Sequence, residues 1–274
     1  MPFSFLYFLS DITAFFAQHI LQYRKAVIIK NLRNAFPEKS MAEINKIKTL
    51  YYKNLTDVAF ETFKLISISE ETLTKRAKIL NIEVLNNYYD KGITVIATTS
   101  HLCNWEWILN VNSIHLKARV HAVYQEIRNQ FFEKLMLNIR SRFGAIPIEK
   151  NQLFRESLKK RSTPHVVALV ADQSPPLHDE NVIWTKFLNQ DTVFYSGMTR
   201  LANSFKWPII YVDMRRIKRG YYEIEFLKIC DIPEKINSTK IIETYANLLE
   251  ESIRKAPHCW LWSHKRWKRQ KINN

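Results

Sequence analysis

His101 and Glu106 are the residues of this 274-residue chain whose types and spacing best suit proton transfer. They stand in Ser100-His101-Leu102-Cys103-Asn104-Trp105-Glu106, directly after the β-branched run from Ile93 to Thr99. A strand, a turn and a helix in that order put the imidazole on the turn and the carboxylate in the first helical turn, from which it can reach back to the ring. A carboxylate bonded to one ring nitrogen fixes the tautomer and stabilises the imidazolium that forms when the other nitrogen takes a proton. The result is a general base able to activate a hydroxyl. The helix N-terminus adds partial positive charge and free N–H groups nearby. Spacing alone also admits a plainer reading, in which Asn104 is a helix N-cap and His101 a capping or surface residue.

A second polar group follows a second apolar run. Asp172-Gln173-Ser174-Pro175-Pro176 comes directly after His165 to Ala171, and open α/β sheets gather functional groups at the carboxyl ends of their strands. Cys103 reads as a packing residue, because neighbouring strand-end side chains point apart. His115, His121, His165 and His178 share no ligand spacing with one another or with Asp172, so no metal site is expected. Three cysteines without a C-x-x-C pair fit a reducing compartment. Only four glycines occur and no two lie close together, which excludes a P-loop and a dinucleotide-binding fingerprint. G-x-S-x-G is absent as well, which disfavours an α/β-hydrolase.

The elements that must position these groups follow from periodicity. Strands are expected at 93–99, 120–124, 165–170, 208–212 and 222–229, and helices at about 41–68, 104–115, 130–143, 151–161, 196–206 and 239–255. That alternation predicts an α/β fold with a mixed, largely parallel central sheet flanked by helices on both faces. Pro175 to Phe187 shows no regular pattern and is expected to lie over the site. With no internal repeat and no linker, residues 23–274 read as one domain, preceded at 1–22 by a membrane-anchoring or interfacial helix.

That first segment is apolar from Phe3 to Leu21 apart from a thin seam containing Ser4, Asp11, Gln18 and Gln22. It has neither the basic start nor the cleavage site of a secretory signal. Arg24, Lys25, Lys30 and Arg33 follow it, which would hold the body on the cytoplasmic side. About 20 residues just cover a bilayer core. Asp11 is costly in that position, so lying in the interface is an alternative, and a helix buried in the body is another. Trp260 to Arg269 mixes indoles with cations, which suits either the headgroup level or a core segment followed by a solvated basic tail. The 41 Lys and Arg against 26 Asp and Glu give a formal charge of +15, which attracts anionic partners of any kind.

Four stretches together resemble the bacterial lipid A biosynthesis late acyltransferases, within the wider lysophospholipid acyltransferase superfamily. They are Tyr23-Arg24 through Asn31-Leu32-Arg33-Asn34-Ala35-Phe36-Pro37-Glu38, the H-x4-E core from His101 to Trp107, Ala171-Asp172-Gln173, and Trp260 to Lys268 with its Trp-Ser-His-basic pattern. They span nearly the whole chain in the family's order. The resemblance implies a fatty acyl donor on acyl carrier protein, or on CoA, and an acceptor hydroxyl on a lipid A precursor. It implies direct transfer without an acyl-enzyme at the cytoplasmic face of the bacterial inner membrane. His101 is then the base and Glu106 its orienting acid, and the acyl thioester is a co-substrate, so no cofactor is required. Arg140 and Arg142 become candidates for the oxyanion or the donor phosphate, or else form an exposed helix end whose cations suit its dipole; Asn104 and Tyr124 line the substrate site, and Asp172 and Gln173 bind the acceptor's sugar or brace the His101 loop. The family often has a basic residue after the tyrosine matching Tyr124, whereas this chain has Gln125. Three other readings are weighed against this one: a glycerophospholipid or amino-acid lipid as acceptor, a non-catalytic membrane scaffold that kept the fold, and a basic nucleic-acid-binding protein. The last is disfavoured because the chain shows no recognised nucleic-acid module and its apolar N-terminus has no use there.

Overall fold

The computed structural model describes residues 1–269. Ten α-helices occur among them: α1 (Phe3–Phe15), α2 (Lys25–Ala35), α3 (Met41–Lys64), α4 (Glu70–Arg76), α5 (Glu83–Asp90), α6 (Trp105–His115), α7 (Gln130–Ser141), α8 (Leu153–Lys159), α9 (Gly197–Phe205) and α10 (Ser238–Lys255). The strands are β1 (Ala77–Ile79), β2 (Val95–Thr99), β3 (Arg119–Tyr124), β4 (Ile146–Glu149), β5 (His165–Val170), β6 (Val182–Phe187), β7 (Gln190–Tyr195), β8 (Ile209–Lys218) and β9 (Tyr221–Cys230).

Seven strands form one sheet in the order β1-β9-β8-β2-β5-β3-β4, and β6 pairs with β7 as a separate hairpin. Every neighbouring pair in the large sheet is parallel except β8 with β9. The expected mixed, largely parallel sheet is therefore present. All five residues of β2 are buried, as in a strand covered on both faces. β9 alternates between buried and half-buried residues, matching its apolar–polar sequence. β2 and β5 lie side by side with Thr99 opposite Val170, so the polar groups that follow each strand emerge together at one edge.

One expectation is corrected and one open alternative is resolved. Pro175 to Phe187 is not wholly irregular, because Val182–Phe187 is β6, hydrogen-bonded along its length to β7 and packed against α10. The period-2 signal there was masked by Lys186 and by a two-residue turn at Leu188 and Asn189, both with positive φ. The indoles of Trp260 and Trp262 are buried at 2% and 0% exposure, so they belong to the core and not to a headgroup layer.

The first segment continues α1 with a π-helical turn from Phe16 to Ile20 and packs along α3. Of the polar seam, Gln18 faces the body and donates to Thr49 at 3.0 Å, whereas Ser4, Asp11 and Gln22 are exposed; Ser10 donates to Asp57 and Tyr7 to Glu61, each at 2.7 Å. Asp11 accepts from Arg219. Gly220, in the β8–β9 turn with φ +72°, lets Tyr7 lie against that turn, because a Cβ there would meet the Tyr7 hydroxyl at 1.9 Å. The opposite face exposes Phe5, Phe8, Ile12, Phe15, Phe16, Ile20 and Leu21. No helix among the described residues is long and apolar enough to cross a membrane.

Asp57 is 1% exposed and accepts from Ser10, Arg216 and Arg219, tying α1, α3 and the β8–β9 turn together. Breaking a buried ion pair on one side strands the other charge, at a cost of about 3–5 kcal/mol. Asp57→Ala is expected to lower the unfolding free energy by roughly that amount in a denaturant titration, and a loss within experimental scatter would show that the cluster does not hold the fold.

Candidate active site

The loop after β2 is held in place before its chemistry begins. Asn104 caps α6, its Oδ1 accepting from the Trp107 N–H at 3.1 Å. Its Nδ2 donates to Glu61 at 2.6 Å, and Asn104 is completely buried. It is therefore a structural cap rather than the substrate contact expected from sequence. Cys103 sits at φ +52° and its N–H donates to the Cys259 carbonyl at 2.9 Å. Its contact with Cys259 and its burial push the thiol up, which argues against a thiolate nucleophile.

His101 lies between these anchored residues and the end of β5. Its Nδ1 is 2.7 Å from Asp172 Oδ1, and its backbone N–H donates to Asp172 Oδ2 at 3.0 Å. Trp260 Nε1 donates to the same Oδ2 at 2.8 Å. The acid on the ring is thus Asp172, and the expectation that Glu106 holds the imidazole is corrected. The reason is register: the residues after adjacent parallel strands meet side by side. Glu106, one step into α6, turns toward α7.

There Glu106 accepts a two-pronged ion pair from Arg140, at 2.7 Å from Nη2 and 3.1 Å from Nε. Both side chains are mostly buried, at 10% and 20% exposure, so this pair is better shielded from solvent than a surface bridge. Tyr124, at the end of β3, is half-buried near Glu133 and Arg140. Burial first, and then Glu133, push its phenol up. Arg142 is not brought to this cluster. Two residues on from Arg140 it faces about 200° away around the helix axis, and its guanidinium donates to the Leu65 carbonyl at the end of α3.

Gln173 is exposed, and its amide nitrogen lies 3.2 Å from His101 Nε2. The bond to Asp172 places the imidazole proton on Nδ1, which leaves Nε2 as the free acceptor. The Ser174 N–H donates to His264 at 3.1 Å, fixing the loop that carries Gln173. Burial holds His264 low, near about 4, so it stays neutral. The Trp105 and His101 rings meet edge-on, their centroids 5.1 Å apart.

The electrostatics favour a base. Burial pulls the His101 pKa down, but the charge and hydrogen bond of Asp172 outweigh it, with help from Glu106, and the net shift is upward. Burial pushes Asp172 up, but His101 and Trp260 bring its carboxyl below the usual range. Two surface grooves, of about 650 and 500 Å³, lie against α10 and α2 and contain none of these residues.

The C-terminal segment, read from sequence only as an indole–cation mixture, is part of the site's support. Leu102 pairs with Trp260 in an antiparallel bridge. Asn31 Nδ2 donates to the Trp262 and His264 carbonyls, and Arg24 to the Ser263 carbonyl. These contacts account for two of the four resembling stretches, α2 and Trp260 to Lys268, which clamp each other.

The largely parallel sheet carries an imidazole–carboxylate pair at its carboxyl edge, an arrangement of an α/β protein that can serve general-base chemistry. The whole described chain, residues 1–269, matches the family described as Bacterial lipid A biosynthesis acyltransferase. The chain belongs to that family and is an acyltransferase of the lipid A type. No curated relative matches it.

Because the folded-state pKa of His101 is raised, the neutral base is lost as pH falls through a midpoint above the ordinary value of about 6.5. NMR titration of the His101 ring is expected to give that midpoint, with kcat/KM declining below it. A midpoint under about 6 would contradict the bond to Asp172.

Proposed function

We propose that this acyltransferase moves a fatty acyl chain from an acyl carrier protein thioester directly to a hydroxyl of a lipid A precursor, at the cytoplasmic face of the bacterial inner membrane. The observation that carries the reading is the His101 ring, fixed through Nδ1 by a buried aspartate and meeting the exposed Gln173 amide, 3.2 Å away, at Nε2.

The acceptor hydroxyl displaces the Gln173 amide from Nε2 and gives its proton to that nitrogen as its oxygen attacks the thioester carbonyl. Asp172 stabilises the imidazolium so formed. Collapse of the tetrahedral intermediate breaks the C–S bond, the imidazolium returns the proton to the departing sulfur, and an ester and a free thiol result. No acyl-enzyme is needed, since Cys103 is buried and Nε2 serves a substrate hydroxyl. The Glu106–Arg140 pair holds α7 against α6 beside the ring, with Glu106 favouring the imidazolium and Arg140 opposing it.

The apolar outer face of α1 supports membrane docking, with the helix lying in the interface and Arg24, Lys25, Lys30 and Arg33 placed behind it for anionic headgroups. The formal charge of +15 favours encounter with an acidic carrier and a phosphorylated acceptor.

Incubation with acyl-carrier-protein thioesters and lipid acceptors, followed by mass spectrometry, tests the reading. An acylated lipid A precursor is expected. Product only on glycerophospholipid or amino-acid lipid would move the assignment to that acceptor. His101→Ala and Asp172→Asn are each expected to lower kcat by about 10²–10⁴ with the fold intact. Near-normal turnover of Asp172→Asn would remove the dyad. For α1, Phe8→Glu combined with Phe16→Glu is expected to release the protein from anionic vesicles in a sedimentation assay while leaving circular dichroism unchanged. Full retention on the vesicles would refute docking through this face.

A further inference from the structure

Arg76, the last residue of α4, is held between two aromatic rings. Its guanidinium carbon lies 3.5 Å from the centroid of Phe3 and 4.6 Å from that of Tyr221. One N–H donates to the Gly220 carbonyl at 3.2 Å. Lys64, the last residue of α3, lies over the same Phe3 ring at 5.7 Å and donates to the Met1 carbonyl at 3.0 Å. Lys218, the last residue of β8, lies over the same Tyr221 ring at 4.3 Å. Three elements distant in sequence therefore bring three cations to one pair of rings.

The neighbouring cations are paired with acids. Lys75 meets Glu71, Arg215 meets Glu223 and Glu225, Arg216 meets Asp57, and Arg219 meets Asp11 and Asp57. Lys64, Arg76 and Lys218 meet no carboxylate within ion-pair distance among the described residues. Cations that share a ring lie within about 10 Å of each other, a Debye length at 0.1 M salt, so they repel. The ring faces offset part of that repulsion, and an anion seated among the three would offset the rest. Arg76 is suited to take one. Stacking and the Gly220 bond fix its plane, and its remaining N–H groups donate to no described residue. Such a fork fits two oxygens of a phosphate with little side-chain freedom left to lose.

The surroundings say what carries the phosphate. Phe3 is the first residue of α1, whose outer face exposes Phe5 and Phe8. Beside the two lysines in the chain, Phe63, Ile66 and Ile217 are each at least half exposed. Cations next to bare apolar side chains match a ligand that is anionic at its head and apolar behind it. Arg24 and Lys25 follow the far end of the same helical segment, so cations stand at both ends of its exposed face. β8 runs parallel to β2 and continues past its end, which puts Lys218 toward the sheet edge that bears His101. We propose that Arg76, Lys64 and Lys218 form a binding site for the phosphate of an anionic bilayer phospholipid, which holds this edge of the enzyme against the membrane. The proposal rests on the reading of α1 as a helix lying in the interface.

The test uses the full-length protein and sedimentation with phosphatidylcholine vesicles that contain or lack phosphatidylglycerol. Lys64→Gln with Lys218→Gln removes two of the cations and leaves Arg76 in its stack, and circular dichroism checks the fold. Lys91→Gln with Arg161→Gln makes the same change in net charge at exposed positions in the turns leading into β2 and β5, at the opposite edge of the sheet. The first pair is expected to weaken binding to the anionic vesicles roughly thirtyfold and to leave binding to pure phosphatidylcholine in place, while the second pair leaves both nearly unchanged. If the first pair does not fold, Lys64→Gln and Lys218→Gln are read singly, each with a loss of about fivefold. Equal losses from the two pairs, or none from the first, would overturn the proposal. So would intact vesicle binding by the first pair together with a raised KM for an acyl-carrier-protein thioester or a detergent-dispersed acceptor, which would give the cluster to that substrate. Phe8→Glu with Phe16→Glu separates the two claims. Retention of that pair on both kinds of vesicle sinks the docking of α1, whatever the lysine variants do to the preference for phosphatidylglycerol.

Discussion

The Asp172 carboxylate is the constraint on which the site depends. It is 2% exposed, and a buried carboxylate must be supplied with donors or a countercharge. Its donors come from residues 71 and 88 positions away in sequence. The end of β5, the loop after β2 and the C-terminal segment can satisfy it only if all three are in place. A parallel sheet supplies the first two, because β2 and β5 are neighbours in register. The third requires a stretch outside the sheet to be fixed as firmly as a strand. Asn31 and Arg24 on the α2 side and the Tyr51 hydroxyl from α3 do this by engaging the backbone of residues 262–264.

A second buried carboxylate carries the same logic away from the chemistry. Glu61 on α3 is fully buried, and burial pushes its pKa up. It accepts from Tyr7 of α1, Tyr222 of β9 and Asn104 of the loop after β2. Asn104 divides its amide between this acid and the first turn of α6. The outermost helix is therefore joined to the loop bearing His101 through Tyr7, Glu61 and Asn104. Residues 1–22 do not behave as a detachable tether: stripping them away would take a donor from Glu61 and another from Asp57, both inside the body.

The sequence made the sheet legible because its longer strands are continuous apolar runs or alternate over most of their length. Ile93 to Thr99 and His165 to Val170 are apolar runs, and Tyr222 to Ile229 alternates. It hid the short elements. β1 has three residues and β4 four, too few for a period to show, and β4 contains Pro147. Within the site, both strand ends could be named, but which acid meets the imidazole depends on which strands are neighbours. The crossovers that place β5 between β2 and β3 leave no local trace. Nearness in sequence favoured Glu106, whereas nearness in the sheet selects Asp172. Arg140 and Arg142 look alike from sequence, and only helical rotation separates a side chain in the site from one that caps α3. Asn104 was ambiguous for a related reason, since an asparagine before a helix can serve the backbone or a ligand. Glu61 gave no signal, being one acid among several along α3, and its partners lie 43, 54 and 161 residues away.

The inverted amphipathicity of α1 decides how the proposed membrane contact would be made. In a water-soluble helix the polar side faces out, but here Ser10 and Gln18 turn inward to partners on α3, and Asp11, at the exposed rim, is paired with Arg219. The phenylalanines are left outside, forming a patch broader than the scattered apolar residues of an ordinary surface. Passing α1 through a bilayer would pull Ser10 and Asp11 from Asp57 and Arg219 and leave Asp57 with two arginines and one fewer donor. Lying in the interface keeps every one of these bonds and covers only the face that has no partner. The same arrangement would hold the sheet edge at a fixed distance from the lipid, because Tyr7 on the inner face of α1 meets Glu61, and Glu61 meets Asn104 three residues from the base.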